Sequence, residues 1–188
     1  NVLSVNRDGV QTDRSYDTEG NVSSTTFPRS LTHTYSSYYR GIARTEQQRE
    51  GVTINRAVSD AGNITSETNG EGNTTSYGYD GLNRLTAIKP AIGSDTVVSY
   101  GTSSKAATRG ALTETTNYDG FGRPSSVVLG GISRSYQHDS FGRMTFASNP
   151  GAKAGEGTSY SYDILSRVTR VGNADGTSVN TSYGAGTK

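Results

Sequence analysis

The stretch Tyr118–Met144, YDGFGRPSSVVLGGISRSYQHDSFGRM, states one phrase twice. Tyr118-Asp119-Gly120-Phe121-Gly122-Arg123 returns about 20 residues later as His138-Asp139-Ser140-Phe141-Gly142-Arg143. An aromatic, an Asp, a glycine and an arginine at fixed spacing point either to a catalytic device or to a building block. Laying the chain on itself favours the second, because a fixed period is the signature of a repeat architecture.

With Asp119 as the origin, the same frame holds at Asp17, Ser59, Asp80, Asp139 and Asp163. An aromatic column stands just before it: Tyr16, Val58, Tyr79, Tyr118, His138 and Tyr162. Gly20, Gly62, Asn83, Gly122, Gly142 and Ser166 follow three residues after the origin, and then Asn21, Asn63, Arg84, Arg123, Arg143 and Arg167. Next come an apolar column (Val22, Ile64, Leu85, Pro124, Met144, Val168) and a hydroxyl column (Ser23, Thr65, Thr86, Ser125, Thr145, Thr169). Degenerate copies fill the two long gaps, with Tyr100, Gly101 and Lys105 in one and Tyr38 and Tyr39 in the other. Tyr183 opens a further copy, and the period is about 21 residues.

Asp-x-x-Gly suits a tight turn: the Asp side chain bonds backbone two residues on, and Gly or Asn accepts positive φ. A strand follows, as in RPSSVVL. Then comes a second turn, Gly130-Gly131, or Asn69–Asn73, or Asn173–Gly176. A strand ending in the next aromatic completes the unit. Each repeat is therefore expected to be a β-hairpin. A turn at Gly130-Gly131 sets Leu129 against Ile132, Val127 against Arg134, Ser125 against Tyr136 and Arg123 against His138. That register predicts the aromatic and Arg columns on one face and the apolar column on the other. Gly122 and Gly142 are expected at positive φ, whereas Gly151 lies in the loop-like NPGAKAGEG without that demand. RTEQQRE (Arg44–Glu50) is the one helix-like run, too short to be stable alone, and is expected to form a polar loop or charged strand.

Composition agrees. Only 30% of the 188 residues are hydrophobic, and Ser plus Thr make up about a quarter. That is thin for a layered core but suits a sheet rich in Thr and Tyr. A net charge of +1 with no basic block gives no footprint for nucleic acid or a membrane surface. Cysteine is absent, so disulfides and thiolate metal sites are excluded. No apolar run has the length of a membrane span. Both ends read as cuts through a longer polypeptide.

At these residues the sequence resembles the YD-repeat, or Rhs, family. YDGLNRLTAI, YDGFGRPSSV, HDSFGRMTFA and YDILSRVTRV match its pattern of Tyr-Asp, two variable residues, Gly, Arg, an aliphatic and Thr. The resemblance covers the chain from about Asp8 onward and implies a long β-strand spiral curling into a hollow shell. In bacterial polymorphic toxins and insecticidal toxin complexes such a shell encloses a C-terminal toxic domain. In teneurins a related barrel serves adhesion, and wall-associated bacterial proteins carry such repeats too. The family's shells end in an Asp-Pro-rich segment with a self-cleaving aspartyl site. This chain has four prolines, Pro28, Pro90, Pro124 and Pro150, and no Asp-Pro pair.

The expected fold is all-β: residues 1–188 as a single array of tandem hairpins, a curved ribbon forming part of a spiral shell. The expected function is structural, a wall segment that encloses or presents a toxin or effector domain. The implied partners are neighbouring repeats and that cargo, with secretion or surface display implied by the resemblance alone. The alternative is an adhesion or carbohydrate-binding module whose Tyr and Arg columns meet glycans or a cell-surface protein.

No enzyme activity, cofactor or metal is expected. Each turn offers one Asp, where calcium needs several oxygen ligands in one loop, and NADGT at Asn173 lacks the ligand run and closing Glu. NGEGNTTSYGYDG lacks the Gly-Lys-Ser/Thr ending of a phosphate loop. His138 and Asp139 are neighbours on an extended chain and point to opposite faces, which speaks against a dyad. The repeat-motif residues Tyr16, Asp17, Gly20, Gly62, Tyr79, Asp80, Arg84, Tyr118, Asp119, Gly122, Arg123, His138, Asp139, Gly142, Arg143, Tyr162, Asp163 and Arg167 are assigned to turns and stacking columns.

Overall fold

A computed structural model describes residues 3–8 and 10–184. The last residues of the copy that begins at Tyr183 lie outside the described residues. Apart from two three-residue 3-10 turns, the regular structure of the described residues is all strand. Contacts divide the chain into two compact units, Asn1–Val97 and Val98–Lys188.

The first unit is an antiparallel meander of β1 (Ser4–Arg7), β2 (Val10–Tyr16), β3 (Val22–Phe27), β4 (Leu31–Tyr39), β5 (Ile42–Gln47), β6 (Thr53–Val58), β7 (Ile64–Thr68), β8 (Thr74–Tyr79) and β9 (Leu85–Lys89). Each strand pairs with the next, and the start of β10 (Thr96–Tyr100) pairs Thr96 with Ile88 and Val97 with Ala87. RTEQQRE continues β5 into a 3-10 turn at Arg49–Gly51, so it is a charged strand and not a helix. The second unit repeats the design with β11 (Ser104–Arg109), β12 (Leu112–Tyr118), β13 (Pro124–Leu129), β14 (Ile132–His138), β15 (Met144–Ser148), β16 (Gly157–Tyr162), β17 (Val168–Gly172) and β18 (Ser178–Asn180). Here too each strand pairs antiparallel with its successor.

The turns follow from the residues at their corners. Gly130 and Gly131 have φ of +55° and +85°, which makes a two-residue mirror-image turn whose twist matches the flanking strands. It sets Leu129 opposite Ile132 and Val127 opposite Arg134, as the sequence predicts. The third position after each repeat origin is left-handed throughout: Gly20, Gly62, Asn83, Gly122, Gly142 and Ser166 have φ of +87°, +82°, +59°, +77°, +83° and +61°. Gly151 is also left-handed (φ +67°), and its N–H donates to the Ser133 carbonyl at 2.8 Å. The sequence reading of Gly151 as undemanding is thereby corrected.

A second correction concerns the faces. At every repeat origin the pairing slips by one residue beside the aromatic column. Tyr118 pairs with Pro124, whereas Asn117 pairs with Ser126. The same slip sets Tyr16 on Val22, Val58 on Ile64, Tyr79 on Leu85, His138 on Met144 and Tyr162 on Val168. The hydroxyl column supplies the extra residue each time, so Ser23, Thr65, Thr86, Ser125, Thr145 and Thr169 are β-bulge residues. A bulge breaks the two-residue alternation of faces. Counting from the Gly130-Gly131 turn to Pro124 passes through Ser125 and reverses the parity. The apolar column therefore shares a face with the aromatic column directly opposite it.

Little of this sheet is buried. Among the described residues the buried apolar side chains are Val98 (8% exposed) and Ala147 (2%), both in the second unit. Most strand positions are half-covered by their neighbours along the sheet.

Candidate functional site

Six backbone and side-chain bonds build the Asp119 turn. The Asp119 N–H donates to the Arg123 carbonyl (2.8 Å), and the Gly122 N–H donates to the Asp119 carbonyl (3.0 Å). Asp119 Oδ1 accepts from the Phe121 N–H (2.9 Å) and the Arg123 N–H (3.0 Å). Oδ2 accepts from Arg123 Nε and Nη2, each at 2.7 Å. A carboxylate is needed because one oxygen caps the backbone while the other holds a planar guanidinium side-on. Asp80 with Arg84, Asp139 with Arg143 and Asp163 with Arg167 repeat the same bonds. Asp17 caps its turn through the Glu19 and Asn21 N–H groups and the Asn21 side-chain amide. Asn69 caps NGEGN with its own Oδ1, taking the Glu71 and Asn73 N–H groups at 3.0 and 2.9 Å.

These bonds hold the carboxyls below the ordinary 3.8. For Asp80 and Asp163 the leading cause is the backbone N–H of Arg84 and of Arg167. For Asp119 and Asp139 partial desolvation works upward, and the hydrogen bonds from Arg123 and Arg143 outweigh it. The amide of Asn21 lowers Asp17. All are carboxylates at neutral pH. A carboxylate that accepts from its own turn and its own arginine is engaged as a cap.

The arginines also bind repeat to repeat. Arg123 Nη1 reaches the Asp139 carbonyl (3.2 Å) and Arg143 Nη1 reaches the Asp163 carbonyl (3.0 Å). Arg143 lies over the Tyr162 ring at 4.8 Å and Arg167 over Tyr183 at 4.2 Å, within cation–π range. The tyrosine hydroxyls close the contact. Tyr38, Tyr79, Tyr162 and Tyr183 donate to the carbonyls of Val22 (2.6 Å), Ile64 (2.9 Å), Met144 (2.7 Å) and Val168 (2.9 Å). Each acceptor is the apolar-column residue of the preceding copy, immediately before its bulge. A phenol thus bonds backbone at the place where the ladder is interrupted. In the first unit, Asn63 Nδ2 donates to Asn83 Oδ1 (2.8 Å) and the Tyr39 hydroxyl to Asp60 Oδ1 (2.6 Å). Tyr16 and Tyr118 lie at the ends of β2 and β12, opposite Val22 and Pro124.

Sequence reading missed one polar cluster. Arg56 on β6 bridges Glu46 on β5 (3.0 Å) and Glu67 on β7 (2.7 Å), and His33 on β4 sits 3.7 Å from Glu46. Burial works to raise Glu46, but Gln48 and Arg56 outweigh it and hold its carboxyl below the ordinary value. Only register brings these residues together, since no spacing along the chain relates them. Among the described residues no group of three His, Asp or Glu side chains is placed to hold a metal ion. No helix among them is long and apolar enough to cross a membrane.

In the second unit the turn tips form an apolar rim of Phe121, Phe141, Ile164 and Leu165, between 68% and 98% exposed.

The fold and the capped turns define a class, the antiparallel β-repeat proteins built on Asp-x-x-Gly hairpins. Residues 59–91 match the family model described as RHS Repeat. No curated protein matches the sequence. Among solved structures, the chain is similar to the crystal structure of TcdB2-TccC3-Cdc42, with a TM-score of 0.55 and 14% identity over 91% of this chain. It is similar to the Photorhabdus luminescens Tc holotoxin pore, with a TM-score of 0.60 and 13% identity over 87%. TcdB2-TccC3 without its hypervariable C-terminal region gives a TM-score of 0.53 and 14% identity over 87%. This chain spans 12%, 12% and 11% of the lengths of those three chains. At such identity the likeness establishes the fold, an all-β hairpin meander.

Proposed function

We propose that this chain is a stretch of wall in a larger Rhs-type shell, one array continuous with further repeats, and that the shell encloses a toxin or effector segment. The observation that carries this reading is the mismatch between apolar side chains and burial. Val98 and Ala147 are the buried apolar residues described, while Phe121, Phe141, Ile164 and Leu165 stand out at the turn tips of the second unit. Large apolar side chains concentrated in the open along one set of turns mark an interaction surface. On this reading an adjacent course of the wall covers the rim and the enclosed segment lies against a sheet face. The family match and the toxin-complex structures support it. Secretion as part of such a complex belongs to the same proposal, as does the absence of catalytic turnover: the Asp and Arg columns are bonded to one another and to backbone. Glycan binding through Tyr and Arg is disfavoured, because Tyr38, Tyr79, Tyr162 and Tyr183 spend their hydroxyls on backbone carbonyls.

The test is protease protection in the longer natural chain that contains these residues. Its enclosed segment should survive a digestion that destroys the same segment expressed alone. Equal digestion of both would remove the enclosing role. Turnover of a protease or glycosidase substrate, abolished by Asp139→Asn, would replace the structural reading with an enzymatic one.

A further inference from the structure

The second unit carries another set of apolar turns, at the strand ends opposite the rim. Leu112 opens β12, Leu129 ends β13 and Ile132 opens β14, whereas Phe121 and Phe141 lie in turns at the other ends of those strands. Leu112, Leu129 and Ile132 are 51%, 43% and 57% exposed. They cluster about the Gly130-Gly131 turn. Leu129 pairs across it with Ile132, and a Cβ built on Gly130 would come within 3.3 Å of Leu112 Cδ1. The strands between the two sets are six or seven residues long, about 20 Å.

The rim at the other end is indented. Phe121 and Phe141, with Arg123, His138 and Asp139, line a hollow of about 520 Å³. Its counterpart one repeat on, between Phe141 and Ile164, measures about 240 Å³ and has Tyr162 where the first has His138. Arg123 lies over the Phe121 ring at 4.9 Å and Arg143 over Phe141 at 5.1 Å, so both apolar walls are braced from within. The charges of the larger hollow are already paired: Asp139 accepts from Arg143 and Asp119 from Arg123, each at 2.7 Å. Covering that hollow therefore leaves no charge without its partner.

A meander alternates its turns, so those at one end of the strands are offset by one strand, about 4.8 Å, from those at the other. The β13–β14 turn thus lies in line with the gap between the β12–β13 and β14–β15 turns. Moved along the strand direction, one copy sets its β13–β14 turn into the hollow of the next. We propose that the second unit is a head-to-tail contact surface for another copy of this chain, with Leu129 and Ile132, flanked by Leu112, entering the hollow between Phe121 and Phe141. An aliphatic pair brings no charge into the hollow and needs no hydrogen-bond partner there. In the first unit the corresponding tip positions hold Glu19, Ala61 and Leu82, so the row of large apolar tips belongs to the second unit. The contact joins unlike surfaces and leaves one of each free, so copies add without closing a ring. It is independent of the enclosing role, which protease protection decides separately.

The experiment is sedimentation velocity of this chain across a concentration series, beside two double variants. Phe121→Ser with Phe141→Ser removes the walls of the hollow. Leu129→Thr with Ile132→Thr removes the inserting pair and leaves a Thr–Thr pair that suits a hairpin. All four side chains are exposed, so both variants should keep the wild-type circular dichroism spectrum. A contact of this size should have a Kd on the order of 100 µM, so the chain should be monomeric at about 5 µM and pass beyond dimers near about 1 mM. Each variant alone should associate at least about 10-fold more weakly. Mixed in equal amounts, the two should form dimers and nothing larger, because each supplies the surface that the other lacks. Association unchanged in both variants would assign it to the open strand edges. Association kept by the Leu129/Ile132 variant and lost by the Phe121/Phe141 variant would assign it to like tips meeting one another. Either result would overturn the proposal, as would a mixture that stays monomeric or a wild-type chain that is monomeric at about 1 mM.

Discussion

Alanine at Gly122 should destabilise the protein by about 1–2 kcal/mol more than alanine at Gly120, two residues earlier in the same turn. The pair isolates backbone conformation from packing. A Cβ built on either glycine meets nothing within 4 Å, so neither substitution clashes. Gly122 sits at φ +77°, whereas Gly120 lies outside the left-handed region. Replacing glycine stiffens the unfolded chain by the same amount at both sites, worth about 0.4–1 kcal/mol toward the folded state. That contribution cancels in the difference, which leaves the cost of a left-handed alanine. For a chain of this size the two variants should differ in thermal midpoint by about 2–8 °C. Circular dichroism melts at one fixed protein concentration read this directly, and urea titration gives the free energy. The same logic inverted applies to Ser166 (φ +61°), where Ser166→Gly should stabilise. Equal midpoints for the two alanine variants would refute the assignment of the Asp-x-x-Gly turn.

Tyr162→Phe should cost about 0.5–1.5 kcal/mol in a urea titration, because it removes the 2.7 Å bond to the Met144 carbonyl and leaves the ring in place. Acid should unfold the protein through its turn carboxylates. Their folded pKa values lie below the ordinary 3.8, so the stability they contribute is complete above that value and is lost as pH falls through the lowered ones. The midpoint should be flat from pH 7 to about 5 and fall steeply below about 4, with Asp119→Asn flattening the fall. Arg143→Lys should destabilise more than Arg167→Lys in the same melts. Arg143 is the less exposed (22% against 41%) and also holds the Asp163 carbonyl, whereas a lysine ammonium cannot span both contacts.

The columns at Asp119 and Asp139 were legible in the sequence because the turn is local chemistry: Asp, Gly and Arg bond within five consecutive residues. The Gly130-Gly131 hairpin was legible for the same reason. The bulges were not. A hydroxyl residue following an apolar one reads as ordinary strand alternation, and nothing at Ser125 announces that it has no partner across the sheet. With the bulge hidden, the face of Pro124 was inverted, and the phenol-to-carbonyl bonds that depend on the bulge stayed out of view. The Arg56 cluster was hidden differently, because its members come from β4, β5, β6 and β7 and only pairing register aligns them. Gly151 looked dispensable because its left-handed turn has no Asp to mark it.

The central claim is that this chain is wall material whose apolar rim is covered by its neighbours. Hydroxyl-radical footprinting of Phe121 and Phe141 tests it most directly, with this chain alone compared with the longer natural chain that contains it. Alone, the two rings are 86% and 81% exposed and should label rapidly. In the longer chain, labelling at both should fall at least about fivefold as the adjacent course of wall covers them. Unchanged labelling in the longer chain would contradict the account.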